Sequence, residues 1–515
     1  MPTPRAHGGA ALLFLPLNVP AFRGLNTQNE SAILGPEWAT KLRNTTLDSS
    51  GRVAARKGWN AVTTSALGAA IVQSIEYQTH SGTRNFICST ATTFNLSTNG
   101  GATFSNITGA IAFTDGNWQF LNFNDDVYAV QQGKTPCRYN AGLGVFTAIA
   151  DVNVPTGGVG LSAFGRLWIV DSDRITVGFS ALLDGTDWTS ADAGIFDMRN
   201  IWPGTDTVQA LAAFNGRLVV FGKNNIAIFS DPTGSVLAID PFQMVVEDTL
   251  SGVGCIARDS IQLVDGDLWF LSASGLQSLG RLTEERNNPL DNLSRNVQDD
   301  LREMVAISSD VRSVYSPENR FYLLCLPSSG AGTVFVFDTT GRMEDGSVRC
   351  TGIWDGLVPT SIFRDLDGDL FMSIPSVVGK LGTYTGNLDN TSTYNFEYES
   401  SWLDITKQGY TIIPKRLSGV FYINNNVDIE FKWAYDFDII FNTATRSFQA
   451  QSVTAEWGVA EWGLSEWGGG ISLRTKHVPG SGRGRYIKVG IACTINSTNV
   501  SLQSLDLYAK IGRLT

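Results

Sequence analysis

The sequence predicts an all-β protein built around a β-propeller, and three observations carry that reading. Glycine is in excess, 53 of 515 residues, and the glycines sit with Asn, Asp, Ser and Thr between short Val/Ile/Phe/Trp/Tyr runs, the mark of many short strands joined by tight turns. A turn-then-strand unit recurs as Asp115-Gly116-Asn117-Trp118, Phe164-Gly165-Arg166-Leu167-Trp168, Asn215-Gly216-Arg217-Leu218-Val219, Asp265-Gly266-Asp267-Leu268-Trp269-Phe270, the degenerate Glu318-Asn319-Arg320-Phe321-Tyr322, and Asp367-Gly368-Asp369-Leu370-Phe371. From Gly116 onward these turns advance by 49, 51, 50, 53 and 49 residues. A period near fifty that holds several strands is the size of one four-stranded blade, which buries its faces only against neighbouring blades.

Each copy has the same physical content. A polar residue followed by Gly supplies the positive φ that a hairpin turn needs. The Leu-aromatic run after it is a strand, and a second strand usually follows, as in Leu218 to Phe221 and then Ile226 to Phe229. A weaker unit near Arg84 to Leu96 adds a further blade. The expected count is six to eight blades, with seven the best fit.

The ends of the chain differ from the middle. Residues 1–60 read as an N-terminal arm and hairpin, with a helical turn around Glu37 to Leu42 and a hairpin turning at Asp48-Ser49-Ser50-Gly51. The propeller is expected over 61–400. One helix is inserted near 288–305, where Leu290, Leu293, Val297, Leu301 and Met304 recur at steps of three and four behind Pro289; it is expected on the outside of the propeller or as an insertion. Over 401–515 the repeat stops. Alternating runs such as Ile429 to Trp433 and Tyr486 to Ile491 suggest a C-terminal β-sandwich.

Composition narrows the function. Hydrophobic residues make up 43% and charged residues 17%, and the formal net charge is -11 without an acidic tail. Such a surface disfavours tight wrapping of DNA and is compatible with a channel through which DNA slides. The six cysteines form no C-x-x-C pair, and the three histidines show no metal-ligand spacing. No cofactor or metal is expected. The apolar run Ala10 to Leu17, broken by Pro16, reads as a strand or packing arm and not as a leader. No segment approaches the ~20 apolar residues of a membrane helix, so the chain is expected to be soluble when made.

Several motifs have both a chemical and a structural reading. Ser97-Thr98-Asn99-Gly100-Gly101-Ala102-Thr103-Phe104 resembles the Asp-box of sialidase-type propellers, with Asn99 in place of Asp, but that box is mainly a turn and no privileged pair of carboxylates accompanies it. Asp365-Leu366-Asp367-Gly368-Asp369 has oxygens at calcium-loop spacing, yet it coincides with a repeat turn and lacks the later bidentate Glu. Glu456-Trp457-Gly458, Glu461-Trp462-Gly463 and Glu466-Trp467-Gly468 repeat every five residues, which fits neither strand nor helix. Trp457, Trp462 and Trp467 either cap the sandwich core or form a contact surface for a subunit, fibre or sugar. Arg52, Arg56 and Lys57 form a basic cluster on the N-terminal hairpin, read as a solvated face or as a docking hairpin for an acidic neighbour.

Four stretches also carry a family resemblance: Gly24-Leu25-Asn26 with Leu34-Gly35-Pro36-Glu37, Arg43-Asn44, Leu47-Asp48 and Arg56-Lys57-Gly58-Trp59; Gly165 to Trp168 with Phe179-Ser180 and Asp184 to Trp188; Leu211 to Phe221 with Ile226 to Ser230; and Gly484-Arg485-Tyr486. In this order the chain resembles the propeller-bearing nozzle or hub proteins of podovirus (short-tailed bacteriophage) tails, including the tail tubular protein B type. The resemblance implies a non-enzymatic virion structural protein, assembled in the host cytoplasm into a homo-oligomeric ring, typically a hexamer. Such a ring docks on the tail adaptor or connector, contacts a tail fibre or spike and the host envelope, and passes double-stranded DNA during ejection. The alternative from the residues themselves is a carbohydrate-binding or glycosidase-type β-propeller.

Overall fold

The computed structural model describes residues 13–18, 22–202, 205–234, 239–284, 292–308, 310–328, 332–404, 410–449 and 472–513. Seven antiparallel blades succeed one another along the chain, six of them separate small sheets and the sixth in order the first four strands of a ten-stranded sheet. Their innermost strands are Ile71–Gln78, Gln119–Phe123, Gly160–Ala163, Val208–Phe214, Gln262–Val264, Arg312–Ser316 and Ser361–Arg364. Strand alternation sends successive side chains to opposite blade faces. In the third blade Leu167 and Ile169 pack toward the second, while Trp168 and Val170 pack toward the fourth. Every blade boundary accordingly holds a buried apolar cluster, and that between blades seven and one contains Phe363, Phe371, Ile71 and Phe86. The ring is closed and seven-bladed.

Closure uses the beginning of the chain. The last blade contains Ser361–Arg364, Leu370–Ser373 and Gly382–Tyr384, and its outermost strand is Trp59–Ala61, paired as Tyr384↔Trp59 and Gly382↔Ala61. The Trp59 side chain is wholly buried and its indole Nε1 donates to Met372 O at 2.9 Å.

The repeat turns lie where the inner strand hands over to the second. Asn215 (φ 47°) and Gly216 (φ 72°) are both left-handed, as are Asp265 and Gly266, which is the two-residue hairpin geometry that favours Asn-Gly and Asp-Gly. The first copy was placed differently by sequence. Asp115 to Trp118 precedes the inner strand of blade two, whose turn is instead Asn124-Asp125, with φ of 48° and 65°. Two Asx residues do there what Asx-Gly does in the later blades.

The arm and hairpin expected at 1–60 are not a separate unit. Trp38–Arg43 joins Tyr394–Ser400, Ile487–Ile495, Val427–Tyr435 and Asn442–Phe448 in one sheet of the C-terminal sandwich. Through the parallel bridge Ile353↔Arg43 that sheet continues into blade six. The second sheet contains Ser472–Pro479, Tyr410–Ile423, Val500–Arg513, Val53–Ala55 and Thr45–Leu47, with Leu13–Asn18 also paired to Val500–Arg513. The expected helical turn at Glu37 to Leu42 is therefore a strand: pairing with Tyr394–Ser400 outweighs local preference, as tertiary context commonly does.

The inserted helix also differs from expectation in its extent. A 3-10 turn, Arg295–Val297, leads into an α-helix over Gln298–Ile307; Pro289 and Leu290 lie outside the described residues. Among the described residues blade five has three strands, and its outer edge is met by this segment through Leu293 N to Leu276 O and Leu276 N to Ser294 Oγ. The segment thus packs on the outer edge of the propeller, where Leu293, Val297 and Leu301 are covered in the core shared by blades five and six and the sandwich.

Replacing Trp59 with Ala should remove about 3–5 kcal/mol of stability, the usual cost of deleting a buried large aromatic, and open the ring at blade seven. Urea unfolding followed by tryptophan fluorescence measures it; a loss below about 1 kcal/mol would mean that the strand does not hold the ring shut.

Candidate functional site at the propeller axis

Propeller chemistry usually sits on the axis, where the inner strands converge, and here that position is occupied by the chain's own charges. Arg258 and Asp259 lie in the 3-10 turn Arg258–Ser260 that enters blade five, and Arg312 opens the inner strand of blade six. Arg312 Nη1 donates to Asp259 Oδ2 at 2.8 Å, and Arg258 Nε donates to Asp259 Oδ1 at 2.8 Å. The remaining guanidinium hydrogens reach other blades. Arg258 donates to Gly158 O and Asn117 Oδ1, and Arg312 to Thr360 O, Val72 O and Asn117 Oδ1. Gln73 Nε2 adds a donor to Asp259.

One carboxylate and two guanidinium groups thus tie together strand entries from blades one, two, three, five, six and seven. Burial pushes the Asp259 carboxyl up, but the charge and hydrogen bonds of Arg258, with Arg312 and Gln73, outweigh it and hold the group below the usual carboxylate range.

The trio lies between two axial cavities. One, about 430 Å³, opens toward the strand ends and includes Ile75, Leu161, Ala213 and Leu263 in its wall; the other, about 400 Å³, opens at the strand entries past Asp115, Arg174 and Asp310. Arg258 and Arg312, which face both cavities, are satisfied by protein acceptors, whereas Arg174 is exposed. Among the described residues, no cluster of three or more His, Cys, Asp or Glu side chains could hold a metal ion.

The residues singled out from sequence fall elsewhere. Trp457, Trp462 and Trp467 lie outside the described residues. Arg52, Arg56 and Lys57 are neither a solvated basic face nor a docking cluster. Arg52 pairs with Asp48 at 2.7 Å and lies 4.4 Å over the Tyr422 ring. Arg56 is wholly buried and grips Asp389 with two bonds of 2.8 and 2.7 Å, 4.0 Å over the Tyr394 ring. Only the Lys57 ammonium is exposed, donating to Asn319 Oδ1 at 3.1 Å. The acidic neighbour that sequence placed on another molecule is Asp389 of the same chain, brought close by ring closure.

The two motif-like turns are also structural. In the calcium-like turn the Arg84 guanidinium occupies the place of a cation, 2.7 Å from Asp367 and 3.6 Å from Asp365, and also bonds Glu76. In the Asp-box-like turn Asn99 Oδ1 accepts from Thr103 N, and Ser97 Oγ accepts from Gly101 N, which holds the hairpin. The axial trio went unrecognised from sequence. Its one signal is spacing: Asp259 and Arg312 stand 53 residues apart, one repeat length, at equivalent strand entries.

A second charged array lies within the sandwich sheet, and Arg43 links it to the seam by also pairing with Asp355, just after the last strand of blade six. Lys41, Arg43 and Lys432 converge on Glu397, while Lys488 meets Glu399 at 2.8 Å. Burial raises the Glu397 carboxyl, but the Lys41 hydrogen bond, Lys432 and Arg43 hold it below the ordinary value.

With this geometry in view, the chain can be compared with known proteins. No family model matches it, and no curated protein matches it. Solved structures with a similar strand arrangement include YCF48 bound to D1 peptide (11% identity, 67% of this chain and 98% of that one, TM-score 0.38), the computationally designed Ika8 protein (12%, 64% and 100%, 0.35) and a chain of the Mitotic Checkpoint Complex (10%, 64% and 93%, 0.38). The fold is a β-propeller. Its seven-fold closure rests on the chain's own sheets and clusters.

Replacing Asp259 with Asn leaves two buried guanidinium groups sharing no carboxylate and should cost about 3–5 kcal/mol, read from the urea midpoint; a loss under about 1 kcal/mol would make the trio incidental. Stability should also fall in acid. Asp259 and Glu397 are depressed in the folded state, so their contribution is complete above the unfolded-state values of about 3.9 and 4.3 and is lost as pH drops through their lower folded values. Melting temperature measured from neutral pH down to strong acid should decline in that window, and less steeply in Glu397→Gln.

Proposed function

We propose that this protein is an architectural subunit of a short-tailed phage tail: a nozzle or hub ring of identical copies that docks on the adaptor, contacts fibres, and passes DNA without catalysis. The observation that carries this reading is where polar and apolar groups have been placed. The charges of Arg258, Asp259 and Arg312 on the axis are consumed in holding the blades together, whereas large apolar side chains stand in solvent on the periphery, among them Val152 at 91%, Ile195 at 70%, Ile439 at 89% and Ile440 at 73% exposure. Exposed apolar groups of this kind suit docking surfaces.

Two further features support it. The sandwich is built into blade six as one continuous sheet and clasped by Arg56–Asp389, so each copy is a stiff two-part block. The axial trio stands across the propeller axis, so in this reading DNA travels through the space enclosed by the ring of copies. A net charge of -11 per chain suits a lumen that releases DNA. The resemblance of the four sequence stretches points the same way.

The test is mass by light scattering, for the protein alone and mixed with virion tail components. A ring of several 55.7 kDa subunits, formed alone or on addition of tail partners, is expected. A persistent monomer that ignores tail proteins and binds on a glycan array would replace this reading with a carbohydrate-binding one.

A further inference from the structure

The sandwich carries two surfaces of opposite character. The first is the hairpin tip Asp436-Phe437-Asp438-Ile439-Ile440-Phe441, between strands Val427–Tyr435 and Asn442–Phe448. Ile439 and Ile440 are the most exposed apolar pair there, at 89% and 73%. The tip is rigidly based. Asp436 and Phe437 take left-handed φ of 48° and 67°, Asp436 Oδ1 accepts from Arg485 N and Tyr486 N, and the Phe437 ring packs 5.1 Å from Trp402 and 4.8 Å from Tyr486. Two isoleucines are thus held out in solvent beside two exposed carboxylates.

The second surface is the side edge where the two sheets end. Among the described residues Asn442–Phe448 and Ser472–Pro479 are the terminal strands of their sheets and run side by side, with Arg446 Nε donating to His477 O at 3.2 Å. Neither strand contains an acidic residue, and together they carry Arg446, Arg474, Lys476 and His477. Terminal strands present unpaired backbone groups that proteins cover or protect with charge.

We infer that the Ile439–Ile440 tip of one copy seats on the basic edge formed by Asn442–Phe448 and Ser472–Pro479 of a second copy. Charge complementarity chooses the occupant: the tip offers Asp436 and Asp438, and the two edge strands carry Arg446, Arg474 and Lys476 and no carboxylate. The two surfaces are different, one at the end of the sandwich and one along its side. Their contact is therefore heterologous, the kind that repeated head to tail builds a ring where its rotation closes. The tip is the desolvated anchor of a larger interface, as apolar centres of interfaces are. Ring closure gives each copy two such contacts, so the assembly gains from their linkage. The inference rests on the ring reading above and names the contact that would build it.

The test uses two double variants, Ile439→Asp with Ile440→Asp, and Lys476→Glu with His477→Glu, each at exposed side chains and each checked for an unchanged melting temperature. Under the condition that assembles the wild type, each variant alone is expected to scatter light as a monomer. Mixed in equal amounts, the intact tip of one meets the intact edge of the other, and the mass is expected to double and grow no further. Variants that still form the full ring, or a mixture that stays monomeric, would overturn the contact and leave the tail reading standing. A wild type that is monomeric with and without tail components would overturn both.

Discussion

The whole architecture depends on the pairing of residues 59–61 with blade seven. A propeller assembled from consecutive blades has two loose ends, and here the strand that completes the last blade comes from more than three hundred residues earlier in the chain. The entropy of closing so long a loop grows only slowly with length, whereas the local gain is large: a wholly buried tryptophan, a three-residue strand ladder, and Arg56 gripping Asp389 beneath the Tyr394 ring. An arginine without solvent contact is costly unless its hydrogens are matched. Asn44, Lys57 O and both Asp389 oxygens match them. Because the same short segment also leaves the sandwich strand Val53–Ala55, closing the ring fixes the second domain at the same time.

Charge is used throughout as a joint between elements. On the axis Arg258, Asp259 and Arg312 lock blade entries; between blades one and seven Arg84 sits among Glu76, Asp365 and Asp367; within the sandwich sheet Lys41, Arg43, Lys432 and Lys488 surround Glu397 and Glu399. In each case carboxylates that could have formed an acidic pocket are neutralised by a cation from a neighbouring strand or blade. The cysteines behave likewise as packing: all six are buried and free, and burial raises their thiols, Cys255 to about 11, far from reactive thiolates.

With these charges committed inward, the molecule leaves apolar tips such as Ile439 and Ile440 exposed, the surfaces through which the proposed assembly would form. That division suits a component that must be stiff, fit its neighbours by shape, and leave a passing polyanion unbound. The trio stands between the two axial cavities. In the proposed reading, a conduit would therefore be a property of the assembly and not of one propeller.

The sequence by itself determined the fold class, the blade period and the sandwich, because each is written in local chemistry. Asx-Gly pairs mark hairpins, alternation marks half-buried strands, and both recur at fixed spacing. It also marked Leu293, Val297 and Leu301 as one buried face. What it could not decide was which distant partner each short segment would meet. Glu37 to Leu42 read locally as a turn of helix and became a strand once Tyr394–Ser400 lay beside it. Asp115-Gly116 looked like a repeat turn, but strand pairing placed the true turn at Asn124-Asp125. Arg52, Arg56 and Lys57 looked like a surface cluster because charged neighbours in sequence usually are, and only ring closure brought Asp389 and Tyr394 onto Arg56. The axial trio was invisible for the same reason: Arg312 and the acceptors at Gly158, Val72, Asn117 and Thr360 belong to other blades than Arg258 and Asp259, and they meet only around the axis. Local pattern specifies elements, while long-range pairing decides which of their charges become joints and which remain for a partner.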